Sequence, residues 1–206
     1  MPAPKNNQLA TVASIKGMLA RDDIKTRFND ILGKKSSQFM ASLVNVVAAS
    51  TQLKASEPNS IMAAAFVAAS FDLPIDSNLG FSAIVPFSKK TCINGQRVKQ
   101  SLAQFQMMYK GYIQLAIRSG EYEKMNCAEV YADELVSYNP ITGECQFVDD
   151  FSACKFRNEG KTDKIIGYYA WFRLRSGFTK ELYMSKAEIN NHAQKYSQSY
   201  LSLIHI

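Results

Sequence analysis

The sequence predicts an α+β fold: a helical N-terminal part packed on a central antiparallel β-meander and hairpin sheet, with a helix after the strand that ends Gln-Phe-Gln. Three observations carry this. The first third repeats apolar residues at helical spacing, and from residue 80 onward alternation at strand spacing takes over. A two-residue Ser176-Gly177 turn then joins two aromatic-rich runs into a hairpin.

Each element follows from local chemistry. Ile24, Phe28, Ile31 and Leu32 share one helical face, and Gly33 follows as a C-cap. Ser36 or Ser37 is placed to cap a second helix, with Phe39, Met40, Leu43, Val44 and Val47 on one face. Pro58-Asn59-Ser60 opens a third helix, IMAAAFVAAS, which stops before Pro74 and whose alanines permit close packing. GFSAIVPF at 80–87 is strand-like, and Asn94-Gly95 offers a hairpin turn towards a second strand at 98–107. Tyr109–Ser119 reads as one helix, with Ile113, Ala116 and Ile117 inward and Gly120 at its end. Strands are expected at 125–131, 135–138 and 146–148, then in the hairpin 165–184. A last amphipathic helix spans 185–197, with Ser185 as N-cap and Glu188 three residues on, a capping-box pattern.

A length of 206 residues and a mass of 23.0 kDa suit one ordinary domain, which needs no disulfide or metal to fold. At 47% hydrophobic and 20% charged residues, wholesale disorder is excluded. The longest apolar run, 61–71, is too short to span a bilayer, and MPAPKNNQLA lacks the apolar segment of a signal peptide. A soluble cytoplasmic protein without membrane partners is expected.

Several chemistries lose support. Cys92, Cys127, Cys145 and Cys154 are irregularly spaced with no C-x-x-C pair, so buried structural thiols are expected rather than disulfides or zinc. Only His192 and His205 could serve a catalytic triad. The nearest approach to a P-loop, Gly33-Lys34-Lys35-Ser36, has Phe28 where the first glycine belongs and Lys35 where Ser or Thr belongs. No G-x-G-x-x-G occurs, and no cofactor is expected. The acid pairs Asp22-Asp23, Asp133-Glu134 and Asp149-Asp150 are adjacent in sequence, a poor arrangement for a two-metal centre.

The formal charge of +6 hides an asymmetry. In residues 77–120 every charged side chain is basic: Lys89, Lys90, Arg97, Lys99, Lys110 and Arg118. Residues 121–164 carry ten acids and five bases, and 165–206 return to five bases against two acids. Phe81, Phe87, Phe105, Tyr109 and Tyr112 interleave with the basic block. Cations that track phosphates beside rings that stack bases suit a single strand, and core aromatics alternating with surface charge give the same pattern.

The segment QFQMMYKGYIQLAIRSGEYEKMNCAEVYADE (104–134) resembles the signature of the RecT family of phage-type single-strand annealing proteins. LPIDSNLGFSAIVPF upstream and GYYAWFRLRSGFTKELYMSKAEINNHAQKYSQSY downstream resemble the same family in order, so that the likeness runs over about 53–200. It implies ATP-independent binding of single-stranded DNA and annealing of complementary strands to a duplex during homologous recombination. It further implies a homo-oligomeric ring or filament in a bacterial host, a 5′→3′ exonuclease partner, and no bond-making chemistry. The family continues past the Lys-Tyr-Ser stretch into a tryptophan-containing segment, so the C-terminal region is read as truncated. LSLIHI is what CTG TCT CTT ATA CAC ATC encodes, a transposon mosaic-end adapter, so 201–206 are expected to be an artefact. The expected organisation is 1–57 as a helical region for oligomer contacts and 58–200 as the DNA-binding core.

Candidate DNA-binding residues follow from position. Lys110 sits at a helix start, where a cation opposes the dipole and so is not explained by helix stability. Tyr109 is placed to stack on bases or to pack in the core. Gln104 and Gln106 share one strand face and could reach sugar or base edges. Arg118 lies in a last helical turn, which alone could account for it. Arg173 and Arg175 fall on the face of Tyr169 and Trp171, with Phe172 and Leu174 inward. Lys180 and Lys186 extend that stripe, and Lys89, Lys90, Arg97 and Lys99 ride on the first hairpin. His192 is expected to pack near its helix end. A metal-dependent nuclease using the acid pairs and a purely structural oligomer are the alternatives.

Overall fold

The computed structural model describes residues 6–93 and 96–197, with side chains from Thr11 to Lys89 and from Gln100 on. The Asn94-Gly95 turn, residues 198–206 with His205, and the side chains of Lys90, Cys92, Arg97 and Lys99 lie outside that description. The fold is α+β, helices first and antiparallel strands after, as the sequence predicts. By contact the chain divides into two compact units, Met1–Arg118 and Ser119–Ile206. The helix beginning at Pro58 packs on the strand Gln96–Met107 and on the helices before it, Asn6–Ala20 and Asp22–Leu32.

The first unit runs α1 (Asn6–Ala20), α2 (Asp22–Leu32), α3 (Ser36–Ala49), α4 (Thr51–Lys54), α5 (Pro58–Ser70), β1 (Ser82–Ile93), β2 (Gln96–Met107) and α6 (Tyr109–Ser119). Gly33 ends α2 at φ 54°, a conformation that favours glycine. A 3₁₀ turn, Gly33–Lys35, leads straight into α3, so no serine caps that helix; Ser36 is buried and its hydroxyl donates to Asn29. Ile15, Phe28, Phe39, Leu43, Val47 and Ile61 form the core, joined by Ile84 of β1 and Ala103 of β2. The Phe28 ring stacks on Phe66 with centroids 4.4 Å apart. The alanines of α5 let it lie close on β2, and its first turn bonds to that strand's outer edge. The Glu57 N–H donates to Ser101 O at 2.9 Å, and the Ala103 N–H to Ser60 Oγ at 2.9 Å. Strands β1 and β2 pair in one unbroken register, from Ser82 opposite Met107 to Ile93 opposite Gln96.

The second unit contains β3 (Tyr122–Tyr131), β4 (Leu135–Tyr138), β5 (Cys145–Phe147), α7 (Lys155–Asn158), β6 (Ile165–Leu174), β7 (Thr179–Ser185) and α8 (Lys186–Tyr196). Its sheet has the order β3-β6-β7, and β4–β5 form a separate two-stranded ladder. Its buried side chains, Val130, Tyr131, Cys154, Ile165 and Tyr183, include one carboxylate, Glu134. Glu134 is buried and receives the Arg157 guanidinium, whose Nη2 also donates to Glu129 O at 2.6 Å. The Tyr131 N–H donates to the same carboxylate at 2.9 Å, and Arg157 lies over the Tyr131 ring. The capping box of α8 forms: Glu188 N–H donates to Ser185 Oγ, and Ser185 N–H to the Glu188 carboxylate at 2.8 Å. Among the described residues no helix is long and apolar enough to cross a membrane.

Candidate nucleic-acid interface

The start of α6 is seated on the chain just before β1. Gly80 takes a left-handed conformation at φ 74° and turns the chain under the helix. The Met108 N–H donates to Phe81 O at 3.0 Å. At Gly111 the approach is closer still: a Cβ there would stand 2.2 Å from Phe81 O, so only glycine lets the helix settle. Lys110 then lays its stem over Gly80, where an added Cβ would meet Lys110 Cδ at 3.3 Å.

This first turn has an anion-seeking character. It contains no acidic residue. The N–H groups of Gly111 and Tyr112 close on Met108 O, while those of Tyr109 and Lys110 have no acceptor among the described residues. The Lys110 ammonium makes no ion pair there either. Tyr109 stands 67% exposed beside it, so of the two roles open to that ring the core one is excluded.

The β1–β2 hairpin leads into the same helix. Pairing sets Gln104 opposite Val85, Gln106 opposite Ala83, and Gln100 opposite Lys89. Directly opposed residues share a sheet face, so Gln104, Gln106, Phe87 and Lys89 lie together on the outer one, where all four are exposed. Ile84 and Ala103 occupy the covered face. A groove of about 490 Å³ lies elsewhere, between α3 and β1, lined by Ser42, Asn45, Asp76 and Ile84 among others; it holds none of the candidate residues.

Other candidates are engaged within the molecule. Arg118 donates to Phe71 O and Asp72 O, each at 2.8 Å, and so satisfies carbonyls at the end of α5. Asp72, at φ 47°, lies 3.6 Å from that guanidinium and accepts from Lys35 at 2.7 Å. In the second unit Arg173 Nε lies 2.8 Å from Glu123, and Arg175 Nε donates to Gly120 O at 2.6 Å. The Tyr169 face of β6 is also not a free stripe. Its ring meets Phe147 of β5 edge-on at 5.0 Å, and its hydroxyl donates to Glu181 at 2.7 Å. Burial, then that carboxylate, hold the hydroxyl protonated far above the usual tyrosine range. Lys180 and Lys186 are exposed and make no ion pair among the described residues. His192 is exposed and lies against Tyr196.

The acid pairs have local structural tasks. Asp22 and Asp23 stand in the first turn of α2, where Asp23 holds Arg21. Asp133 accepts the Phe156 N–H, beside the Glu134–Arg157 pair, and Asp150 caps the Phe151–Ala153 turn. Among the described residues no three His, Cys, Asp or Glu side chains gather as metal ligands.

One expectation inverts in large part. Of Ile113, Ala116 and Ile117, expected to face inward, Ala116 is half-buried but Ile113 and Ile117 are 41% and 62% exposed, and the neighbouring Tyr112 is 65% exposed. The covered side of α6 is the opposite one, carrying buried Gly111 and half-buried Leu115, with the exposed Arg118 clamped to carbonyls at its end. Close approach at Gly111 and the arginine clamp at Arg118 fix both ends of the helix. Those two residues, half a turn from the apolar stripe, are the signal in the sequence that could have shown it.

Residues 37–203 match the RecT family, across both units. An uncharacterized protein of Bacillus subtilis (strain 168), YqaK, is 40% identical over 187 residues, which is 91% of this chain and 59% of the relative. The chain therefore spans less than two thirds of that relative's length.

Proposed function

The chain belongs to the RecT family, and on that premise we propose that it binds single-stranded DNA and pairs complementary strands without nucleotide hydrolysis. The observation that carries this reading is the start of α6. An ammonium and two N–H groups without partners among the described residues meet there, in a segment with no acid between residues 77 and 120, beside an exposed ring. Annealing must screen two phosphate backbones while leaving base edges open. Lys110 and the helix-start N–H groups supply the screening, Tyr109 offers a sequence-tolerant stacking surface, and Gln104 and Gln106, on the outer face of the hairpin that leads into α6, are proposed for sugar or base edges. Lys89, exposed on that outer face, extends the positive path, and Lys90, Arg97 and Lys99 of the same hairpin are proposed as further contacts, with side chains outside the described residues.

The wider setting is part of the proposal. The protein works as a homo-oligomeric ring or filament in the bacterial cytoplasm, in which residues 1–57 contribute subunit contacts. A 5′→3′ exonuclease supplies its single strands.

Two labelled complementary oligonucleotides, mixed without ATP or metal, test this directly. The protein is expected to speed duplex formation and leave strand length unchanged. Lys110→Ala should weaken binding of any sequence alike and flatten the slope of log affinity against log salt by about 0.7 per protomer. Magnesium-dependent shortening of the strands would replace annealing with a nuclease. Wild-type affinity and slope in Lys110→Ala would move the phosphate site to the hairpin.

A further inference from the structure

We infer that the outward stripe of α6, Tyr109, Tyr112, Ile113 and Ile117, is a base-stacking rail along which a single strand lies parallel to the helix axis; this rests on the DNA-binding reading above. At 100° per residue these four side chains fall within an arc of about 140°. Gly111, Leu115 and Arg118 fill the opposite arc and hold the helix to its unit. Helices of soluble proteins ordinarily turn the apolar stripe to the core and the charged residues to water. Here a glycine and a clamped arginine are turned in, and two tyrosines and two isoleucines are turned out. Such a face calls for an occupant.

Its chemistry selects nucleobases. The stripe borders Lys110, and no acidic residue occurs anywhere in 77–120, so a polyanion meets attraction and no repulsion from this segment. Tyr109 and Tyr112 are three residues apart, a spacing that sets side chains about 5–6 Å from each other on one helix face. From Tyr109 to Ile117 the rail extends about 12 Å. A base whose face lies on a side chain is not stacked on its neighbour there, so successive bases stand farther apart than the about 3.4 Å of a duplex strand and the rail accepts about two, one at each ring. Rings and aliphatic groups contact any base face without reading its edge, which suits a surface that must take every sequence. A second copy of the chain is a poorer occupant: four side chains, even fully covered, supply well under the about 800 Å² per partner of a stable protein interface.

The test compares a thymine oligonucleotide with an abasic strand of equal length, which keeps the phosphates and lacks the bases, using the full chain. Wild type should hold the thymine strand more tightly. Tyr112→Leu should lose about tenfold on the thymine strand and nothing on the abasic one, the effect of one lost stacking partner. Tyr112→Phe, which keeps the ring, should restore the preference. The melting temperature should stay constant, because the side chain is two-thirds exposed. An unchanged thymine-to-abasic ratio in Tyr112→Leu would overturn the rail; if Lys110→Ala still weakened both strands, DNA binding would survive without it. Retention of neither strand by wild type would end both readings. A changed sedimentation coefficient of DNA-free Tyr112→Leu, with an unchanged ratio, would assign the stripe to self-assembly and overturn the rail equally.

Discussion

The first unit hides hydrocarbon, with Phe28, Ile15, Leu43, Ile61 and a row of alanines, and the polar groups buried in it are small hydroxyls, Thr11, Ser36, Ser56 and Ser82, with no charge among them. The second hides a carboxylate, Glu134, against the Arg157 guanidinium, which lies over the Tyr131 ring. Their cations divide less cleanly, since Lys35 and Arg118 of the first unit are engaged while Lys180 and Lys186 of the second make no ion pair among the described residues. The arginines of the second unit show what matters. In the first unit Lys89 and Lys110 remain unpaired among the described residues, beside exposed rings. In the second, Arg157, Arg173 and Arg175 are all held by the unit's own carboxylates and carbonyls. A count of basic residues therefore says little about where a polyanion binds. What matters is whether the fold has already used the charge.

The contrast is most directly broken in the hydrocarbon core. Phe28 is fully buried between Phe39 and Phe66, so Phe28→Ala should cost about 3–5 kcal/mol of unfolding free energy, read from denaturant titration. A loss below about 1 kcal/mol would mean that the helices repack freely and that the core is not the close-packed one described.

The Glu134–Arg157 pair should answer next. Arg157→Ala leaves the Glu134 carboxylate buried without its partner, at a cost of about 3 kcal/mol, the low end for a broken buried pair because Arg157 itself is half-exposed. The pair also predicts a pH dependence. Burial pulls the Glu134 carboxyl upward, but the Arg157 guanidinium and the Tyr131 N–H outweigh it and hold it below its ordinary value near 4.5. The unfolded chain then binds this proton more readily than the folded one. The contribution to stability is thus complete above the ordinary carboxylate range and is lost as pH falls through the depressed folded value. Glu134→Gln should flatten the melting profile in acid; an identical acid slope in wild type and variant would remove this linkage.

A glycine sharpens the comparison within the first unit. Replacing a helical glycine by alanine ordinarily stabilises by about 1 kcal/mol. At Gly111 the sign should reverse, since the new Cβ overlaps Phe81 O; overpacking of this kind costs about 1–3 kcal/mol. The displaced helix should carry Lys110 off Gly80, so single-strand affinity falls together with the melting temperature. Stabilisation by Gly111→Ala would show that α6 is not seated on that carbonyl.

Gly111 also marks where legibility ended. Periodicity and cap chemistry named α2, α3, α5 and α8, and the Asn94-Gly95 and Ser176-Gly177 signals fell between strands that do pair. Such signals are local, so a sequence carries them openly. α1 went without one, having neither an acid in its first turn nor a base in its last. Periodicity also gave the apolar stripe of α6 but not which side of the helix the rest of the unit covers. That was decided by the close approach at Gly111 and by Arg118 reaching carbonyls 46 and 47 residues away, both tertiary events. The stripe of Arg173 and Arg175 had the same weakness. Alternation by two gave the face they share with Tyr169, while the partners that occupy them, Glu123 and Gly120, come from the chain before β6.

The smallest effect separates used from unused charge. Arg173 faces Glu123 with both side chains nearly half-exposed, so water and salt screen the pair, and Arg173→Ala should cost about 0.2–1 kcal/mol. Because the guanidinium is committed to that carboxylate, removing it frees no counterion when DNA binds. The slope of log affinity against log salt should therefore match wild type, whereas Lys110→Ala should flatten it with the melting temperature unchanged. The two variants remove the same formal charge and differ only in what that charge was touching. If Arg173→Ala flattened the slope as much as Lys110→Ala, the Glu123 pair would be opening for phosphate, and the second unit would join the binding surface.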